Sequence, residues 1–362
     1  MAAGGSPYAQ FSSATPTNFG FIYPPFAALL ARPLALLTDK QALSMWLVVS
    51  LLTTCVAAYL VARTALPATW PRLELALLGA LAFGPAAYNY WHGQINGLIF
   101  LLLAVAYWAY VDGRQTTTGV VLGLAAGIKV APIVLIVLLV RRRWWRGSAA
   151  MFATVAATVL VGVLVLGAGP THTFISTVLP ALSRTTGWLY NQSIAGVIAR
   201  LADHSVLVVQ ATPLWLTALC WIAGALILGM VVWVTRPGER PTAERGAEFG
   251  LGIVAMLLAG SVAWYAHFTA LIIPLAAAAG LVASRGRRAE RALLTGTALA
   301  VVVFALVSPF GIGELAMPSL ISVSRTPLWW PLLQLASLPG LAALWLAVRL
   351  RASLAVDSSS ET

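Results

Sequence analysis

The sequence predicts an all-α, polytopic membrane protein with about eleven membrane segments, and three observations carry that prediction. Of the 362 residues, 60% are hydrophobic and only 9% are charged, whereas soluble domains carry roughly 25% charged residues. The mean hydropathy is +0.88. Apolar runs recur at the length a helix needs to cross hydrocarbon, about 20 residues. The net charge of +11 sits in short basic blocks between those runs. Cytoplasmic loops that collect arginine produce that distribution, so it argues against nucleic-acid binding. Twenty arginines against two lysines, with abundant alanine, point to a GC-rich genome such as an actinomycete's. Cys55 and Cys220 both lie in apolar runs and read as small core residues, neither a disulfide nor a metal site.

Taken in order, the membrane segments fall near 43–62, 74–91, 95–111, 118–140, 149–168, 214–234, 248–264, 267–283, 292–308 and 328–348. The long polar stretches between them are 1–41, 170–213 and 309–327. Segment 118–140 decides the topology, because Lys129 stands near its middle. If that segment is one straight helix, the basic residues divide six against fifteen, and Arg114 and the Arg141–Arg146 cluster fall on opposite faces. If it turns back near Lys129, they divide sixteen against five and no arginine-rich loop is misplaced. Pro132 supplies the break, since its ring removes a donor and biases Ala131 away from helix. Residues 118–129 and 131–140 are therefore read as two half-length elements meeting at a cavity, with Lys129 at the tip. Irregular backbone at membrane depth is tolerated where it lines such a cavity.

This gives three regions. Residues 1–41 form an extracytoplasmic loop with an interfacial segment, 42–350 the transmembrane domain, and 351–362 a disordered cytoplasmic tail. The long polar stretches then share the extracytoplasmic face, which becomes the working face. That topology would have residues 1–41 cross the membrane without a leading helix, so a twelfth helix before Met1 is expected.

Ionisable groups inside a membrane domain are functional hypotheses by default. Lys129 suits a phosphate or pyrophosphate, for which an ammonium is a compact point charge. The turn "YNYWHGQINGLIF" offers Trp91, His92, Gln94 and Asn96, donors and flat faces that suit a sugar; Gln94 or Asn96 can equally cap the following helix. "TTGWLYNQSIAGVIARL" places Asn191, Gln192 and Ser193 before a helical pattern that contains Arg200. "SVAWYAHFTALIIP" sets His267 beside Trp264 at the junction of two apolar segments. Tyr23-Pro24-Pro25 in "FGFIYPPFAALLARPLALL" launches an interfacial helix. Walker, zinc-protease and nucleophile-elbow motifs are missing, which argues against an ATP-driven pump.

These stretches together resemble the signature of glycosyltransferase family 87, of the C-type superfamily. "GQINGLIF" matches its Gly-Gln-x-Asn helix start. Gly119, Gly123, Ala125, Lys129 and Pro132, followed by "RRRWW", match its small-residue, lysine and proline run. "FIYPPF", "YNQSIAGVIARL" and "WYAHF" match its remaining segments. The resemblance runs from about Gly5 to Val348. It implies a C-type glycosyltransferase architecture. It also implies an inverting membrane transferase that takes mannose or arabinofuranose from a polyprenyl-phosphate donor. The acceptor would be lipid-linked or a cell-envelope glycan, on the outer face. Carried over by position, Lys129 and His267 bind the donor phosphate. Tyr23, Gln94, Asn96, Asn191, Gln192 and Arg200 line the pocket. No cofactor or metal is expected. The family's general base, an aspartate before the Tyr-Pro-Pro segment, has no counterpart in residues 1–22. The chain is therefore read as lacking its N-terminal helix and base, and the base is left unassigned: Asp39, Asp203 and Glu314 are the remaining outer-face acids, in unmatched positions that suit loop or capping residues better. Relatives often carry an acid and a second histidine where Tyr265 and Ala266 stand here. Two rival readings are a secondary transporter or flippase of lipid-linked sugars, since broken helices with a charged tip also serve transport, and a non-catalytic relative that binds them.

Overall fold

Proline chemistry sets the first helix. Pro24 is the N-cap of α1 (Pro25–Ala31), with Pro25 at its first position, where a missing N–H costs nothing. A 3-10 turn comes next over Arg32–Leu36, so the Tyr-Pro-Pro segment does launch a short helix. The computed structural model describes residues 6–9, 20–188, 190–202, 212–235, 237–285, 291–306 and 337–355. Asp203, Glu314 and the 309–327 stretch lie outside them. Then comes α2 (Asp39–Ala65), 27 residues long, opened by a reciprocal capping box between Thr38 and Gln41.

The 74–91 segment is not one helix. It is broken at Phe83 into α3 (Arg72–Ala82) and α4 (Gly84–Trp91), because Pro85 in the first turn cannot donate to the preceding turn. After α5 (Asn96–Val111) come α6 (Gln115–Ile128), a 3-10 turn (Ala131–Leu135), α7 (Ile136–Arg141) and α8 (Trp145–Leu166). The chain then runs through α9 (Ala168–Thr173), a π turn (Phe174–Val178), α10 (Leu179–Ser183) and α11 (Ile194–Ala202). It continues into α12 (Leu214–Val234), α13 (Thr242–Ala259), a 3-10 turn (Tyr265–Leu271) and α14 (Ile272–Arg285). Last are α15 (Arg291–Leu306) and α16 (Leu338–Ala355). Helix α16 extends to Ala355, five residues into the stretch that the sequence marks as a disordered tail.

The break at Lys129 is present. Helix α6 stops at Ile128, Lys129 is extended, and the chain resumes at Ala131. From there it turns back. A Cβ on Gly119 would overlap the Gly147 carbonyl oxygen, one on Gly123 would lie 2.6 Å from the Met151 oxygen, and one on Gly127 would overlap Thr158 Oγ1. The two series of residue numbers rise together, so α6 and α8 run parallel and nearly touch. The chain can only reach α8 by returning to the level where α6 began, which brings Arg114 and Arg143–Arg146 to one end. In lipid there is no hydrophobic drive between helices, so small residues that let backbones approach supply the association. Gly119→Ala is expected to force the pair apart and destabilise the protein by about 1–3 kcal/mol. An unchanged melting temperature in detergent would mean that α6 and α8 do not touch there.

Arginines gather at that end, with acidic partners among them. Arg63 lies in the last turn of α2 and Arg285 ends α14. Gly280 abuts the Ala65 carbonyl, and Arg285 pairs with Glu244 at 2.9 Å. Helix α13 is buried from Gly246 to Leu258 and carries Glu248 with no exposure. Glu248 pairs with Arg142 at 2.9 Å, and the Tyr110 hydroxyl donates to it at 2.8 Å. Arg142 Nε donates in turn to that hydroxyl at 2.9 Å. One ionic knot thus joins α5, the returning leg after α7, and α13.

Among the described residues, five helical stretches are each long and apolar enough to cross a membrane alone: Asp39–Ala65, Trp145–Leu166, Leu214–Val234, Tyr265–Arg285 and Leu338–Ala355. The apolar stretch of Trp145–Leu166 is only 17% buried by protein, so its outer face, with Phe152, Leu160 and Leu164 exposed, is left for lipid. Shorter apolar stretches include Asn96–Val111, Gln115–Ile128 and Ala131–Arg141.

Candidate active site

At the end opposite the arginines, the break after α6 sets Lys129 against the start of α5. Lys129 Nζ donates to Asn96 Oδ1 at 2.6 Å. Asn96 is fixed from behind, because its backbone N–H donates to Asn89 Oδ1 at 3.1 Å. Asn89, buried without exposure, donates from Nδ2 to Ser50 Oγ at 3.0 Å. This Ser50–Asn89–Asn96 relay holds the lysine's partner still. The other end of the Asn96 amide is unspent: Nδ2 is buried and has no acceptor. Buried amide donors are almost always paired in native proteins, so a ligand acceptor is the natural partner.

Tyr23 covers the group. Its ring centroid lies 5.9 Å from Lys129 Nζ, and its hydroxyl donates to Gln94 Oε1 at 3.3 Å. Burial pushes this phenol up to about 12, so it remains a donor at neutral pH. Tyr23 is braced by Tyr8, whose hydroxyl donates to the Tyr23 carbonyl at 2.7 Å, and by an edge contact with Phe21.

His267 reaches the same place from the other side. It and Lys129 line one cavity of about 40 Å³ with Asn96, Pro132 and Gly260. That volume admits a water or two but not a sugar ring. Among the described residues no carboxylate lines the cavity, and no group of three or more metal-ligating side chains forms. Asp39 stands exposed in the first turn of α2.

The Asn-Gln-Ser segment does not itself line the cavity but bonds to Ala263, which does, and it bonds mainly to backbone. Asn191 Nδ2 donates to the Thr186 and Ser261 carbonyls at 2.9 and 3.2 Å, while its Oδ1 accepts from Ala263 N at 2.9 Å. Gln192 N donates to the Ala263 carbonyl at 2.8 Å, and Gln192 Oε1 accepts from Gly340 N at 3.2 Å. Ser193 Oγ caps α11 by accepting from Gly196 N at 3.0 Å. Arg200, without exposure, donates from Nη1 to the Trp188 and Asn191 carbonyls at 3.1 and 2.7 Å. These residues staple residues 185–188 and 190–193 to residues 261–264 and α16, and so aim the turn that carries His267. Trp264 takes part through an antiparallel bridge with Asn191. Asn191→Ala is expected to cost about 3 kcal/mol, the penalty for stranding several buried partners, read as a lower melting temperature.

Trp91 is 65% exposed and faces an outer groove with Trp46 and Leu43. His92 stacks on Tyr88, with ring centroids 3.8 Å apart. Tyr265 is buried and donates to the Phe304 carbonyl at 2.6 Å.

Residues 21–261 match the profile of glycosyltransferase family 87. The chain belongs to that family. Among curated relatives, the polyprenol-phosphate-mannose-dependent alpha-(1-2)-phosphatidylinositol mannoside mannosyltransferase of Mycobacterium tuberculosis is 28% identical over 368 aligned positions, 94% of this chain and 78% of its own length. The corresponding pentamannoside mannosyltransferase of that organism is 29% identical over 265 residues, covering 70% of this chain and 56% of its own length. The alpha-(1->3)-arabinofuranosyltransferase of Corynebacterium glutamicum is 29% identical over 184 residues, 49% of this chain and 42% of its own length. This chain thus spans little more than half of the pentamannoside enzyme. The family 87 match covers the region that carries Tyr23, Gln94, Asn96 and Lys129; His267 lies six residues past its end.

Two residues that position the lysine carry no signal in the sequence, Ser50 and Asn89. Ser50 sits inside a long apolar helix, and nothing in its neighbours marks it. Asn89 stands seven residues before Asn96, a spacing that bears meaning only once the turn between them closes.

Proposed function

We propose that this family 87 chain is a membrane glycosyltransferase that moves mannose or arabinofuranose from a polyprenyl-phosphate donor to a lipid-linked or cell-envelope glycan acceptor. The observation that carries it is the pairing at the break. A lysine and an unspent buried amide from Asn96 sit side by side, with His267 on the same cavity. Cationic and neutral donors converging on a small space suit a phosphate monoester or diester. The names of the relatives, two mannosyltransferases and an arabinofuranosyltransferase, support these sugars.

In the transfer, the acceptor hydroxyl oxygen bonds to the anomeric carbon from the face opposite the lipid phosphate. The bond from that carbon to the phosphate oxygen breaks, and the lipid phosphate leaves with the electron pair. The hydroxyl proton goes to a base. Attack on the opposite face inverts the configuration. Lys129, Asn96 and His267 stabilise the charge that grows on the leaving phosphate, and Tyr23 and Gln94 bound the sugar. The base is a carboxylate outside this cavity, with Asp39, Asp203 and Glu314 the candidates within the chain. The arginines gathered at the basic end of the bundle support a cytoplasmic location for it and, with that, an extracytoplasmic location for the Lys129 cavity in a domain of about eleven membrane segments.

Purified protein given radiolabelled polyprenyl-phosphate mannose, or the arabinofuranose donor, with a phosphatidylinositol mannoside acceptor tests the reading. Labelled product supports the transferase. Binding without turnover makes the chain a non-catalytic binder, and donor movement across proteoliposomes without product makes it a flippase.

A further inference from the structure

We propose that the arginine-bearing end of the α6–α8 pair is a binding site for the phosphate of an anionic phospholipid, distinct from the Lys129 cavity at the other end of the bundle. A cavity of about 620 Å³ lies there. Arg114, Thr116, Thr117, Arg143, Trp145 and Arg146 line it.

Three features of this place act together. First, arginines from two separate turns converge. Arg114 precedes α6, and Arg143 and Arg146 flank the start of α8. Arg114 is shared with Asp112 at 2.5 Å and stacks over Trp108 at 4.6 Å, so Arg143 and Arg146 carry most of the charge that faces the cavity. Arg143 is aimed by its backbone. It is the one non-glycine residue with positive φ among those described, at 57°, a conformation that costs about 1–2 kcal/mol. That turn sends Arg142 inward to Glu248 and leaves Arg143 outward on the cavity.

Second, two helices of 14 and 22 residues begin at this cavity. They run parallel and in near contact at Gly119 and Gly147, so their positive dipole ends lie side by side. Neither first turn contains an acidic residue or a side-chain cap. The leading N–H groups of a helix have no partner inside it; the Gln115 N–H bonds the Gly113 carbonyl, and Thr116 and Thr117 of the same first turn line the cavity. Ordinary loop arginines that only orient a protein need no cavity and no such convergence.

Third, the cavity sits at the lipid boundary. The Trp145 indole is 61% exposed, a residue type favoured at the headgroup level. One face of α8 leads away from it through exposed Phe152, Val159 and Leu160, a track for acyl chains. A free phosphate would use the arginines alone; a phospholipid uses the arginines, the indole and the track. Basic pockets between membrane helices are a recurring way to hold anionic headgroups. The inference does not rest on the transferase reading, since nothing in it touches the Lys129 cavity.

The test uses the full chain purified in detergent and titrated with phosphatidylglycerol or phosphatidylcholine, with bound lipid counted by native mass spectrometry. Phosphatidylglycerol is expected to be retained over phosphatidylcholine. The Arg143→Gln/Arg146→Gln double variant is expected to weaken that retention roughly thirtyfold, two arginine contacts' worth. The melting temperature without lipid should stay unchanged, as neither side chain holds a helix in place. Retention that survives a large excess of inorganic phosphate supports a lipid ligand. Displacement by phosphate alone overturns it in favour of a simple anion site. A charge-matched Arg63→Gln/Arg351→Gln variant from the same end should retain the lipid. If it loses as much as the first double variant, or if the first loses nothing, there is no site and only a basic surface.

Discussion

Lys129→Met is expected to abolish donor binding while leaving a folded protein. The side chain ends in a cluster built to present it: Asn96 accepts its hydrogen bond, Asn89 holds Asn96, and Ser50 holds Asn89. Methionine keeps most of the length and removes the charge. A buried charge contact to a phosphate, truncated on one side, costs about 2–5 kcal/mol, or roughly thirty- to several-thousandfold in affinity. The free protein responds differently. It loses one hydrogen bond to Asn96, about 1 kcal/mol, and regains the cost of holding an ammonium without a carboxylate partner nearby. The melting temperature should therefore move little. Unchanged affinity for polyprenyl-phosphate mannose in a folded Lys129→Met protein would remove the lysine from the donor site.

The second large effect is on stability. Glu248→Ala is expected to lower stability by about 3–5 kcal/mol, because it strands a buried arginine. Arg142 is 6% exposed and Glu248 not at all, and Tyr110 bonds to both. Arg142 also donates to the Gly238 carbonyl at 3.0 Å, so the knot fixes the far end of the leg that returns from Lys129. Loss of activity should accompany loss of stability. The joint change Arg142→Met/Glu248→Leu should recover much of the stability, since neither charge is then left alone. If Glu248→Ala melts like the parent, the ionic knot does not hold these helices together.

Much of the architecture is legible in the sequence. The break at Lys129 can be read from Pro132 and the arginine tally, and the Tyr-Pro-Pro helix start from the fixed φ of proline. Both depend on local covalent chemistry or on loop composition, which a sequence displays directly. Segment 74–91 reads as continuous because its apolar run is unbroken, although Pro85 marks the interruption. The Asn-Gln-Ser segment shows a different limit. Asparagine, glutamine and arginine can bond a sugar hydroxyl or a backbone carbonyl with the same atoms. Among the described residues Asn191, Gln192, Ser193 and Arg200 bond mainly to backbone, and no periodicity distinguishes the two uses.

By itself, then, the sequence determined the membrane class, the re-entrant lysine and the family signature, because hydropathy, proline and motif spacing act over a few residues. Only the tertiary structure decided which charges meet. Arg142 counts in the sequence as one of a loop's arginines, yet it is buried against a glutamate 106 residues away, while its neighbour Arg143 opens onto a cavity. Asn96 could have been a helix cap, yet it is the partner of Lys129 across 33 residues. Such pairings are set by how helices pack, and in a bilayer that packing depends on close backbone approach at positions such as Gly119 and Gly147, which no local rule assigns to one partner over another.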